Sequence, residues 1–409
     1  MIKRLLLTAF LTLTAVIPMA AATSAPRPDG RATSTRGLAE NLMRFRRPIH
    51  EFDTTFTPGQ YAAWKKDLKQ AMKRLMRHPE SQDAEPKKIC SAQRDGYRIE
   101  KWESYPLPAS VVSFYLLIPD GVDESHPVPA ALCIPGFGQT KELLAGERAG
   151  NYTLKGAPDS ITRQAAMALH YVREGIVTVA VDNPSCGELS DNGYPDYTTS
   201  SRFLLETGWS YLGLASWQDK VILDWMKTQP FIRPDRIIAS GFSLGTEPLM
   251  VLGALDDSIY AFVYNDFLCR TRERALVMNK PDAKGNRPFP NGDEHLIPEF
   301  LTLFDFPDIV AALAPRPVIC TEGGMDRDFD IIAKAFAKAG VPKNFEYHHY
   351  AKYADPAMRQ YLDSLPSGID RTEFSVLSIA THPATISSSS GFSPGCANGS
   401  KNRCRHYTG

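Results

Sequence analysis

The 409-residue chain is 43% hydrophobic and 22% charged, and its 46 Lys and Arg residues balance 46 Asp and Glu. That is an ordinary globular composition, long enough for one large domain with extensions. A net charge of zero gives no ground to expect nucleic acid or an anionic membrane surface as partner.

In chain order, Lys3 and Arg4 make a basic start, Leu5 to Ala22 is apolar apart from Thr and Pro, and Ala20-Ala21-Ala22 offers a cleavage site. Residues 1–22 read as a secretory signal peptide, so the mature protein is expected to be secreted or periplasmic. Pro18 and the alanines fit a cleavage region better than a membrane anchor, and no other membrane-spanning candidate follows. Residues 23–56 are polar, basic and proline-bearing, and read as an extended lead-in to a domain over 57–374. Tyr61, Trp64, Leu68, Met72 and Leu75 recur at three- and four-residue spacing and predict an amphipathic helix over 58–78, its basic face solvated. Residues 97–102 and 111–118 predict an antiparallel pair of strands.

Strands and helices then alternate. Strands are predicted over 128–134, 176–181, 237–240, 259–264, 317–321 and 345–350, and helices over 160–174, 214–228, 246–255 and 329–339. Repeated β-α-β order with apolar strands predicts an α/β fold: a mostly parallel, doubly wound sheet with helices on both faces. Residues 267–308 form a polar, proline-rich insertion, expected over the strands' carboxyl ends, where sites form.

Gly241-Phe242-Ser243-Leu244-Gly245 lies between a predicted strand and a predicted helix. This is the G-x-S-x-G nucleophile elbow in the context the motif requires, and it nominates Ser243 as the attacking atom's residue. Strand and helix approach closely at such a turn, so the flanking positions must be small. The helix that follows directs its first N–H groups at the reaction centre. The seven cysteines form no C-x-x-C pair. With no zinc-ligand spacing and no Gly-rich phosphate loop, neither metal nor cofactor is expected. A disulfide is open in an oxidising compartment, its pairing undetermined.

Elbow, strand order and length together resemble an α/β-hydrolase. The string from Phe306 to Asp326, with Ala314-Pro315-Arg316-Pro317 feeding a strand that ends in Gly323-Gly324-Met325-Asp326, is similar to dienelactone hydrolase-like and acetyl xylan esterase-like members. The resemblance spans about residues 88–360 and implies a serine esterase acting on a small-molecule or carbohydrate ester. It places the triad acid at Asp326, with Asp328 as rival, where a carboxylate fixes the histidine tautomer. It places the oxyanion hole at the Leu244 and Phe137 amides, Phe137 lying in the loop Ile134-Pro135-Gly136-Phe137-Gly138. Relatives carry His-Gly where this chain has Pro135-Gly136. Asp182 to Glu188 resembles the family's D-x-x-G-x-G-x-S loop and is expected to shape the pocket wall. Glu247 and His295 are candidates for substrate contact or for a structural role.

The fold orders its triad Ser, acid, His, and only His348, His349, His382 and His406 lie beyond Asp326. His348 and His349 fall in the last predicted strand and read as structural, which leaves His382 as base. Yet from about Ser375 the composition changes, and residues 375–409 read as an atypical, disordered tail. Relatives place the base in an H-x-F-like loop and close with a helix that covers the sheet. Both are missing here, and a two-sided sheet without its last helix exposes apolar surface. A frameshift accounts for this. With permitted codons, reading Ala380 to Ala397 from the third base of the Ala380 codon yields Asn-His-Phe-Phe and then an apolar, Trp-bearing stretch. The readings are therefore a secreted serine esterase, a serine peptidase of the same fold, or an impaired hydrolase serving as a binding protein. Repeat sequencing of the gene should reveal a second frame coding for Asn-His-Phe-Phe; an intact frame without one would end the frameshift reading.

Overall fold

Nine strands form one sheet in the order β1-β2-β3-β5-β4-β6-β7-β8-β9. β1 (Lys87–Arg94), β2 (Tyr97–Leu107) and β3 (Ser110–Pro119) run antiparallel, and β3 is antiparallel to β5. β4 (Val128–Ile134), β5 (Val177–Val181), β6 (Ile232–Phe242), β7 (Ala261–Asn265), β8 (Val318–Cys320) and β9 (Phe345–Tyr347) pair in parallel. The computed structural model describes residues 29, 31, 34–81, 85–147, 165–191, 195–265, 270–278, 292–321 and 326–348. These belong to a compact unit, Met1–Ile369; the second unit, Asp370–Gly409, lies outside them, as do the signal-peptide, tail and His382 assignments.

The apolar runs explain the layering. β5 reads Val-Thr-Val-Ala-Val and is buried throughout, as strands sandwiched between helices must be. The eight helices that matter are α1 (Thr35–Phe45), α2 (Pro58–Met76), α3 (Met167–Arg173), α4 (Tyr197–Glu206), α5 (Tyr211–Lys227), α6 (Thr246–Leu255), α7 (Phe306–Ala312) and α8 (Asp326–Lys338). Residues of α2, α5, α6, α7 and α8 share one core with alternate residues of the strands. α3 packs on the other face against Leu117, Ala131 and Ala180. On that same face Ile319 of β8 stands exposed between buried Val318 and Cys320. No helix among the described residues is long and apolar enough to cross a membrane, and Cys90, Cys133, Cys186 and Cys320 are free thiols.

Several predicted bounds shift. The lead-in is not extended throughout: α1 starts at the Ser34 N-cap, whose side chain accepts from the Gly37 N–H, and Phe45 and Phe52 are buried. β1 carries no alternating pattern because it is an exposed edge strand; the Asp95-Gly96 turn, with Gly96 at φ 82°, pairs it to β2. The last predicted strand stops at Tyr347. The insertion's final residues, Phe306 to Asp308, are fully buried as the start of α7 and belong to the core.

Asp308 ties the N-terminal segment to that core. It accepts from the Phe52 N–H at 2.8 Å and from the Asp305 N–H at 2.9 Å, the second bond closing the capping box of α7. Burial pushes its carboxyl up to about 7. Asp308→Ala would orphan two buried donors and should cost roughly 2–4 kcal/mol in urea unfolding. Asp308→Asn keeps one acceptor and should cost less; equal losses would show that packing, not the acceptor, matters.

Candidate active site

Ser243 sits where β6 meets α6, in a 3-10 turn over Ser243–Gly245, and its φ is 48°. A non-glycine residue in the left-handed region costs about 1–3 kcal/mol and persists only when its surroundings impose it. The surroundings do so by contact. A Cβ on Gly245 would lie 2.5 Å from the Pro135 O and 2.6 Å from the Ile134 O. One on Gly241 would lie 2.6 Å from the Gly245 O, and one on Gly136 2.7 Å from Phe242 Cδ1. Gly245 and Gly136 are thus the points at which elbow and β4 loop touch, and Gly241 is where the elbow closes on itself.

β4 and β6 are parallel neighbours with Ile134 opposite Gly241, which sets the loop after β4 beside the elbow. Within that loop the Gly136 N–H donates to Gln139 Oε1 at 2.9 Å and the Gly138 N–H to Tyr197 Oη at 2.8 Å. Pro135 has no N–H. The Phe137 N–H lies between, with no partner among the described residues. The Phe137 ring, 57% exposed, lies 4.4 Å from the Tyr197 ring, centroid to centroid. Leu244 is buried against Tyr197, Tyr211 and Cys186, and the Cys186 thiol is 2.7 Å from Tyr197 Oη.

The loop after β5 braces this arrangement. Asn183 Nδ2 donates to the Pro135 O at 2.6 Å. Asp182 accepts from the Lys141 N–H at 2.8 Å and from Lys141 Nζ at 2.7 Å. Lys141 Nζ also reaches Glu142 Oε1 at 2.9 Å and Glu188 Oε2 at 3.0 Å, and Lys101 pairs with Glu188. Burial raises the Asp182 carboxyl to about 6 against the pull of Lys141. Burial also works against Glu188, but Lys101 and Lys141 hold it down to about 2.

Glu247 stands four residues after Ser243 in the first turn of α6 and is 1% exposed. It accepts from Arg274 Nη1 and lies 2.9 Å from His295 Nδ1, while His295 Nε2 lies 3.3 Å from Glu294 Oε1. Burial alone would raise its pKa, but Arg274 and then His295 outweigh it and hold it at about 2. Glu247 and His295 therefore engage each other.

Asp326 begins α8, directly after the β8 loop; its side chain lies outside the described residues. Its rival Asp328 is buried and accepts from Arg270 Nε at 2.8 Å. His348 follows β9 rather than lying within it, its N–H on the Cys320 O at 2.8 Å and its Nε2 2.7 Å from Glu346 Oε1. The structure thus brings Ser243, Leu244 and Phe137 to one place. Of the residues that support them, Asn183 lies in the Asp182–Glu188 stretch expected to shape the pocket wall, while Tyr197, Gln139 and Lys141 carry no motif spacing that marks them in the sequence. Among the described residues no group of His, Cys, Asp and Glu is arranged to hold a metal ion.

The sequence profile of the Abhydrolase family matches residues 19–383. A protein from Bacteroides fragilis, provisionally assigned as an acetyl xylan esterase, has a similar structure. It shares 51% identity and a TM-score of 0.74, with 86% of this chain and 91% of that one covered. The fold is also that of a methylesterase (16% identity, TM-score 0.51, 77% of this chain and 69% of that one). A glucuronoyl esterase from Solibacter usitatus shares it too (12% identity, TM-score 0.50, 84% and 97%). No curated protein matches in sequence.

The Glu247 cluster makes a pH prediction. Its folded pKa, about 2, lies below the ordinary 4.5, so its stabilisation is present above pH 4.5 and is lost as pH falls through the folded value. The difference is worth about 3 kcal/mol. Urea titrations should show Glu247→Gln losing less stability than wild type between pH 5 and 2; identical slopes would remove the cluster from acid unfolding.

Proposed function

The chain belongs to the Abhydrolase family, and from that premise we propose that it is a secreted or periplasmic serine esterase that cleaves acetylated carbohydrates through an acyl-enzyme. Ser243 attacks the ester carbonyl. A histidine takes its proton and returns it to the leaving alcohol, and Asp326 orients that histidine. The Leu244 and Phe137 amides hold the oxyanion, and water then releases the acid. His382 is the base this sequence offers; the alternative frame near Ala380 offers another.

The observation that carries the reading is Ser243 at φ 48° on a strand-to-helix turn seated against the loop of Phe137. Two further facts favour a carbohydrate substrate. The Bacteroides fragilis protein that shares 51% identity is provisionally an acetyl xylan esterase. The exposed Phe137 ring also offers a flat apolar surface beside the nucleophile, suited to the apolar face of a sugar ring. A second reading, an impaired hydrolase that binds without turnover, is favoured by the atypical sequence of residues 375–409, where relatives carry their base.

A fluorophosphonate probe separates the two. Labelling at Ser243, with p-nitrophenyl acetate turnover that Ser243→Ala lowers on the order of 10⁶-fold, is expected of the esterase. Correctly folded protein that neither labels nor turns over would leave the binding role.

A further inference from the structure

Lys141 is 0% exposed, and its ammonium is enclosed by Asp182, Glu142 and Glu188, with the Tyr115 ring 5.3 Å away. Withdrawing an ammonium from water costs several kcal/mol, and a buried ion pair is weak evidence of stabilisation, since apolar side chains of similar volume often do as well. What this pair supplies is geometry. Lys141 lies four residues after Phe137 and grips Asp182 twice, through its own N–H and through Nζ. Asp182 is in turn held against Gly187, where a Cβ would come within 2.6 Å of Asp182 Oδ1. The same two loops are joined at their other end by Asn183 Nδ2 on the Pro135 O. The Phe137 segment is therefore pinned on both sides, to one neighbouring loop.

We propose that Lys141 is a positioning residue: its bonds to Asp182 lock the loop that carries the Phe137 amide onto the loop after β5, and so fix one donor of the oxyanion hole. The inference rests on the esterase reading for its catalytic consequence, but the lock itself does not. Lys141 touches no substrate. A donor displaced by about 1 Å costs on the order of 100-fold in rate, because it acts where charge develops in the transition state. An interaction made only in the transition state lowers kcat and leaves KM alone.

Asp182→Asn and Lys141→Met test this. Asp182→Asn keeps the shape and an acceptor for the Lys141 N–H while removing the charge, and it decides the matter should Lys141→Met not fold. Expected are a kcat on p-nitrophenyl acetate lower on the order of 100-fold, an unchanged KM, and faster amide hydrogen exchange confined to peptides covering residues 134–144. A folded Asp182→Asn with wild-type kcat, or with kcat loss matched by a rise in KM or by a smaller folded fraction, overturns the proposal. If the wild-type chain shows no turnover, the esterase reading fails separately. Exchange then decides the lock alone: faster exchange in 134–144 sustains it, and unchanged exchange overturns it.

Discussion

The contact on which the rest depends is the seating of Gly245 on the carbonyls of Ile134 and Pro135. At 2.5–2.6 Å from a would-be Cβ, it leaves no room for any side chain. It fixes the distance between the end of β4 and the start of α6. Ser243 holds φ 48° beside that close approach, with β6 on one side and, on the other, a helix buried from Thr246 to Ala254. α6 cannot relax outward, because its residues from Thr246 to Ala254 are all packed inside the protein. The strain at one residue is thus offset by the burial of nine.

Around this contact the loops at the strands' carboxyl ends lack ladder hydrogen bonds, and buried charges hold them instead. Lys141 with Asp182 joins the loops after β4 and β5. Glu247 with Arg274 and His295 joins α6 to the insertion. Arg270 with Asp328 joins the insertion to α8. Each cluster is directional where apolar packing is not, which suits segments that must present backbone amides at fixed positions. The opposite end of the sheet uses charge differently. Lys65 donates to the Ala314 O, and Arg316 donates to the Asp256 and Gly253 carbonyls at 2.7 and 2.6 Å, satisfying the ends of α6 and α7. Part of the basic face of α2 therefore caps helices, although periodicity alone read that face as solvated.

The family match ends at residue 383, inside the stretch where the composition changes. The exposed Ile319 lies on the sheet face opposite the main helical core.

The elbow, the parallel strands and the amphipathic helix over 58–78 were legible because each is set by local rules: period 2 or 3.6 in apolar residues, and glycine where backbone meets backbone. β1 and α1 were not: an exposed edge strand has no burial pattern, and the eleven residues of α1 lie inside a polar, basic, proline-bearing stretch whose composition hides their helical spacing. The elbow, with Ser243 at its apex and glycines on either side, was determined by sequence alone, because a tight turn constrains adjacent positions. Tyr197, Asn183 and Lys141 were decided only by tertiary structure, because they act across 59, 48 and 41 residues of chain, and no local spacing records which loops the sheet order brings side by side.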